Sequence, residues 1–378
     1  MDNNTLYWVW LASLSGIFAN KVNALTEHFE TIEDIYKADI SEYKKIPGIT
    51  RGDSLVLNSK DLTHAREIVE KTQKAGANIL TYDDIRYPDS LRKIPNPPYV
   101  LYIKGEIMPW DRLLCIGVVG TRKCSEYGVN ATNHIAYGLA LKGITIVSGM
   151  ARGIDTAAAC AALKAGNKTI AVLGSGIDVV YPPENAKLMD EITKNGAVIT
   201  EYPPGSAPLK AHFPERNRII SGLSRGILVS EAPEVSGALI TARYALETGR
   251  DLFVVPGSIF SYNSRGSNNL LKEAAKATMC AEDILEEYPF DVEKLVPPDT
   301  SMQTVNNIRT VSIDDERYAK LGENEKKIIS LLIESNLHID EIQAKTSIEI
   351  ATLNSLLPLL EMMGLIRKLP GDNYKLEY

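Results

Sequence analysis

The sequence predicts an α/β protein with a Rossmann-like, doubly wound, mostly parallel sheet, flanked by a small N-terminal helical domain and a C-terminal winged-helix domain. Three observations carry this expectation. Between Leu113 and Val255, β-type apolar runs alternate with helical patterns at regular spacing. The runs are continuously apolar, as in strands covered on both faces. Glycine-bearing turns follow several of them, where ligands of parallel sheets are held.

Four regions are expected: a helical domain of the SAM or helix-hairpin-helix kind over 1–85, the core over 86–290, a linker over 291–320 and the winged-helix-like module over 321–378. In the first, Leu6–Asn20, Val22–Phe29, Thr31–Ala38 and Leu62–Ala75 have helical periodicity. Pro47-Gly48 between helices fits either a phosphate-contacting hairpin or a plain packing turn. The apolar run from Leu6 to Phe18 follows acidic Asp2 and is too short to span a bilayer, so a core helix is expected rather than a signal or membrane segment. The proline-rich stretch Tyr87–Gly105 reads as extended.

In the core, strands are expected at Leu113–Val119, Ile144–Val147, Thr169–Leu173, Ala197–Thr200, Gly226–Ser230 and Asp251–Val255. The intervening helices are Tyr127–Lys142, Asp155–Ala165, Glu184–Asn195, Arg216–Ser221 and Ala238–Thr248. The last module should carry helices Glu323–Glu334, Ile339–Thr346 and Ile348–Met363, then strands Leu365–Leu369 and Tyr374–Glu377 joined through Pro370-Gly371-Asp372-Asn373.

Composition narrows the function. With 44% apolar and 24% charged residues, the 378-residue chain is ordinary globular material. A net charge of −7 means that any nucleic-acid surface must gather its cations locally. The four cysteines form no C-x-x-C pair and no His/Cys cluster has zinc spacing, so a reduced cytoplasmic setting is expected, without metal or cofactor. Neither a P-loop, nor G-x-G-x-x-G after the first core strand, nor a Ser/His/Asp order is present, and no catalytic constellation emerges.

The strand ends supply the candidate site. Gly120-Thr121-Arg122 and Ser125 follow the first core strand, Ser148-Gly149-Met150-Ala151-Arg152-Gly153 the second, and Gly174 the third. Glycine turns before helices suit anions, and Arg122 and Arg152 add forked donors; tight turns alone are the plainer reading. Asp155 sits where a helix cap belongs. Lys210, Arg216, Arg218 and Arg225 fall within sixteen positions of this acidic chain, with Phe213 among them and Asn217 between two arginines. Cations with an aromatic face suit a single strand, although Phe213 also suits a core and one arginine suits an ion pair. Ser264-Arg265-Gly266 is a third anion candidate, and Ser236-Gly237-Ala238 opens a helix without a cation. The third helix of the last module has Glu349 and Glu361 and no Lys or Arg, which disfavours duplex reading.

Taken together, Val119-Gly-Thr-Arg122, Ser148-Gly-Met-Ala-Arg-Gly-Ile-Asp155, Ala171-Val-Leu-Gly-Ser-Gly-Ile-Asp178, Tyr181-Pro-Pro-Glu-Asn185, Phe213-Pro-Glu-Arg-Asn-Arg-Ile-Ile-Ser-Gly222 and Val255-Pro-Gly-Ser resemble the DNA-processing A (DprA/Smf) family. Met150 departs from the family's usual Ser-Gly-Gly-Ala. The resemblance implies a dimeric protein that binds single-stranded DNA without strong sequence preference and helps load the RecA recombinase onto incoming DNA in natural transformation. It places DNA contacts at Arg122, Lys210 and Phe213. The alternative is a nucleotide- or ribose-phosphate-processing enzyme of the phosphoribohydrolase type. That family's Pro-Gly-Gly-x-Gly-Thr run is missing here, and Val235–Thr241 only echoes it.

Overall fold

The computed structural model describes residues 2–273, 275–295, 297, 321–334, 337–369 and 371–376. The chain divides into two compact units, Met1–Gln303 and Thr304–Tyr378.

The first unit is built on a nine-stranded sheet. Its strands are β1 (Asn78–Thr81), β2 (Val100–Gly105), β3 (Cys115–Val119), β4 (Thr145–Ser148), β5 (Thr169–Val172), β6 (Gly196–Thr200), β7 (Gly226–Val229), β8 (Asp251–Val254) and β9 (Lys276–Ala277). They lie in the order β1-β2-β6-β5-β4-β3-β7-β8-β9. All pairs from β6 to β9 are parallel, while β1 with β2 and β2 with β6 are antiparallel. Each of the six apolar runs forms a strand. β1 was not anticipated, and β2 forms within the extended proline-rich stretch.

Alternate strand residues face opposite layers. Ile116 and Val118 of β3 join Ile135 and Leu139 of the helix Glu126–Leu141 and Ala158 and Ala161 of the helix Ile154–Lys164. Cys115 and Val119 join Ile219 and Ile220 of the helix His212–Leu223 and Ala242 of the helix Gly237–Glu247. The sheet is therefore covered on both sides, the reason its strands carry no polar alternation.

The N-terminal helices Asn3–Ser13, Ala19–His28, Ile32–Lys37 and Thr63–Lys74 follow the expected pattern, and Ile40–Tyr43 and Arg51–Leu57 add two short ones around Pro47-Gly48. Leu6 to Leu11 are all buried, so the apolar run near the start is core helix. This segment shares a core with the sheet across the expected 85/86 boundary. Trp8 stacks on Tyr99, with centroids 5.9 Å apart and planes within 4°. Trp8, Tyr102, Val198 and Met189 belong to one apolar cluster.

The second unit is a winged helix with its own core, including Ile328, Leu353, Leu357 and Tyr374. Helices Glu323–Glu334, Ile339–Thr346 and Ile350–Met362 accompany a small antiparallel sheet, β10 (Leu337–His338), β11 (Ile366–Leu369) and β12 (Asn373–Leu376), in the order β10-β12-β11. The expected linker from 298 to 320, and Pro370 and Glu377, lie outside the described residues. Among the described residues, no helix is long and apolar enough to cross a membrane, and no group of three or more His, Cys, Asp or Glu could hold a metal.

Candidate nucleic-acid interface

The chain runs outward from β3 through β4, β5 and β6, then returns to place β7 on the other side of β3. Where a parallel sheet changes direction in this way, the loops beyond the two strands splay apart and leave a crevice. Here it is a groove of about 660 Å³. It is lined by Gly120, Thr121 and Arg122 after β3, Ala151 and Asp155 after β4, and Lys210, Phe213, Arg216 and Asn217 on and before the helix His212–Leu223. Beside it, a smaller hollow adds Gly149, Arg152 and Gly174 and shares Arg122, Phe213 and Tyr181. Eleven of the expected residues, from four separate segments, thus meet in one place.

Arg122 and Lys210 are exposed cations with no acidic partner among the described residues. The Arg122 guanidinium lies over the Phe213 ring, 4.9 Å from its centroid. Tyr181 lies 5.5 Å from the same ring, tilted by 44°. A base can therefore stack on Phe213 only if Arg122 moves off it, or can stack on the outer face of the guanidinium instead.

The glycines serve the protein rather than an open cradle. A Cβ on Gly120 would fall 2.5 Å from the Ile154 side chain, one on Gly149 would fall 2.4 Å from the Arg216 guanidinium, and one on Gly174 would fall 3.1 Å from Phe213. Their missing side chains make room for neighbours that form the groove wall. Asp155 also differs from expectation. The helix Ile154–Lys164 is capped by Gly153, and the Asp155 carboxylate instead turns back to accept from the Ala151 amide at 3.3 Å. It occupies the turn where a phosphate was expected, so an anion could meet only side chains in front of it.

The structure places several expected contacts elsewhere. Arg216 is only 3% exposed, and its guanidinium donates to the carbonyls of Gly149 (2.9 Å) and Val172. Burial lowers its pKa to about 10, still far above neutral. It is a cation inside the wall, reaching the groove through its field rather than by contact. Arg218 is forked onto Glu201 at 2.9 and 2.5 Å. Arg152 pairs with Glu184. Ser125 caps the helix Glu126–Leu141 and bonds to Glu231. Ser148 is buried. Met150 takes a left-handed φ of 55° and buries its side chain completely, which explains how a residue other than glycine is held there. Ser264 is buried, Gly266 packs against the Pro233 carbonyl, and Ser264, Arg265 and Gly266 all lie outside the groove lining.

Sequence reasoning passed over Tyr181, Val235, Ser236 and Gly237, which also line the groove. The last three open the helix Gly237–Glu247, whose first amides offer partial positive charge. The signal was a capping serine before a glycine, discounted because no cation accompanied it.

The family model for DNA recombination-mediator protein A matches residues 78–289, and that for the DprA winged helix domain matches 315–372. The chain belongs to the DprA/Smf family. Protein Smf of Synechocystis sp. is 34% identical, with 99% of each chain covered. The X-ray structure of DprA from Streptococcus pneumoniae aligns with TM-score 0.67 and 37% identity, covering 76% of this chain and 98% of that one. A Helicobacter pylori DprA structure, described for its unique single-stranded DNA binding mode, aligns with TM-score 0.51 and 31% identity over 56% of this chain and 96% of that one. Membership in this DprA/Smf family of recombination mediators does not favour the nucleotide-processing alternative.

Arg216→Ala leaves the buried carbonyls of Gly149 and Val172 without donors, and should lose about 1–3 kcal/mol of unfolding free energy in urea titrations. Exposed Arg122→Ala should stay within about 0.5 kcal/mol of wild type. Burial, opposed by Arg216 and Arg122 and by the Ala151 and Gly149 amides, raises Asp155 to about 6. The folded state then holds this proton more tightly than the unfolded chain, where an aspartate titrates near ~3.9. Stability from this group is full below about pH 4 and lost as pH rises through 6. The unfolding free energy of wild type minus that of Asp155→Asn should therefore fall between pH 4 and pH 6.5.

Proposed function

We propose that this protein binds single-stranded DNA in the groove beyond β3 and β7, without strong sequence preference, and that it loads RecA onto incoming DNA as a homodimer in the cytoplasm. The observation that carries the reading is the Arg122–Phe213 pair, a free cation lying over a half-buried aromatic ring, with unpaired Lys210 on the same groove. Cations beside an aromatic ring are what a flexible strand needs: charge for its phosphates and a flat surface for a base.

Arg122 and Lys210 meet phosphates in this arrangement, while the buried Arg216 and the amino end of the helix Gly237–Glu247 add a positive field that the rest of this acidic chain lacks. The other proposed contacts, Thr121, Ala151 and Asn217, are polar or small groups on the same wall. Duplex DNA keeps its base faces stacked and cannot use the Phe213–Arg122 surface, so it should bind more weakly. The reading agrees with the Helicobacter pylori relative, described as a single-stranded DNA binder.

The test is fluorescence anisotropy of a short oligothymidine over a salt series. Wild type should bind, and should prefer the single strand to the matching duplex. Arg122→Ala and Lys210→Ala should each weaken binding and flatten the logarithmic salt dependence by about 0.7, the share of one phosphate contact on a single strand. Duplex binding as tight as single-strand binding, or variants that match wild type, would overturn the assignment. RecA loading is read separately, as wild type but not Arg122→Ala shortening the lag of RecA's DNA-dependent ATPase on strand precoated with single-strand-binding protein.

A further inference from the structure

Arg122 sits on a loop of six residues, Gly120 to Ser125, between β3 and the helix Glu126–Leu141, and such a loop does not hold a long side chain in place by itself. Its two ends are tied to one residue just beyond the neighbouring strand. The Thr121 amide donates to the Glu231 carbonyl at 2.7 Å. The Glu231 carboxylate accepts from the Ser125 amide at 2.8 Å and from the Ser125 hydroxyl at 2.7 Å. Glu231 lies just past β7, is 2% exposed, and has no cation within ion-pair distance among the described residues. A buried carboxylate in that state needs donors, and here they come from the loop and from the adjoining helix start, whose partial positive charge suits it.

Two further observations show that this arrangement is built. Gly128, in the first turn of that helix, has no side chain because a Cβ would fall 2.5 Å from the Glu231 Oε2 atom. The middle of the loop is held from a third side, where the Asn263 Nδ2 amide donates to the Lys123 carbonyl at 2.8 Å. Three bonds from Glu231 and one from Asn263 thus straddle Arg122, while the Arg122 side chain itself stays free to face the groove.

We infer that Glu231 is a positioning residue for Arg122, and that Asn263 braces the same loop, so that together they set the guanidinium over Phe213 for a DNA phosphate. This rests on the DNA-binding reading above. Glu231 touches no ligand and acts through the loop. It also gives the Ser261–Asn268 segment a role, as a brace for the Arg122 loop in place of the anion contact first expected from it.

The test uses the full chain and an oligothymidine, with Arg122→Ala as reference. Glu231→Ala removes the carboxylate and should weaken binding about tenfold, the scale of one charge-assisted contact. It should lower the salt dependence by about 0.7, as Arg122→Ala does. The double variant Glu231→Ala with Arg122→Ala should bind no more weakly than Arg122→Ala alone, because both remove the same contact. Glu231→Gln, whose amide can accept from the Ser125 amide and donate to its hydroxyl, should restore most of the affinity. Asn263→Ala, which alters only the brace, should give a smaller loss that also vanishes in the Arg122→Ala background, and it decides the matter if Glu231→Ala does not fold. Losses that add to that of Arg122→Ala, or an unchanged salt dependence, would show Glu231 and Asn263 to be merely structural and overturn the inference. Failure of wild type to bind the oligothymidine would instead overturn the DNA-binding reading itself.

Discussion

The reversal of strand order between β3 and β7 is the constraint on which the rest of this molecule depends. Two parallel strands lie side by side there, but their following segments must leave in different directions, one into the helix Glu126–Leu141 and one toward the helix Gly237–Glu247. The backbone beyond the strand ends would be left without partners if nothing bridged it. The Thr121 amide closes the gap onto the Glu231 carbonyl, and Ser230 donates back to Val119 at 3.2 Å. The groove is the space left on the open side of that seam, which is why residues far apart in sequence converge on it.

Charge placement within the groove follows from which cations are already satisfied. Of the arginines and lysines near the strand ends, Arg152 and Arg218 are neutralised by Glu184 and Glu201, and Arg216 is spent on backbone carbonyls. Among the residues lining the groove, that leaves Arg122 and Lys210 with their charge turned outward. In a chain of net charge −7 the result is a local positive site rather than a basic surface. The buried Asp155 sharpens this contrast by filling the turn that would otherwise trap a small anion. On the proposed reading, a site of this kind suits an extended polyanion with bases to stack better than a compact phosphate group.

The winged-helix unit is chemically different. Its longest described helix exposes Leu359 and Met362, with Met363 exposed just past its end, and its core is self-contained. The absence of Lys and Arg from that helix, evident in the sequence, persists as an apolar and acidic face rather than a groove-reading one.

The sequence by itself determined the sheet, its six main parallel strands, the covering helices and the winged helix, because continuous apolar runs and helical periods report burial directly. It also named the loops that meet in the groove, since ligands of such sheets gather at strand ends. It missed β1, a four-residue strand whose pairing with β2 is a long-range event, and it could not say which cations were free. Arg216, Arg218 and Arg152 look alike in a row of residues, yet one is buried under Gly149, one is forked onto Glu201 and one is paired with Glu184. Those fates depend on partners that the chain brings together only after folding. The glycines show the same limit, because a gap for a phosphate and a gap for a neighbouring side chain have the same spelling. Only the tertiary structure decided between them, since what fills the space beside a missing Cβ is set by packing and not by the local chain.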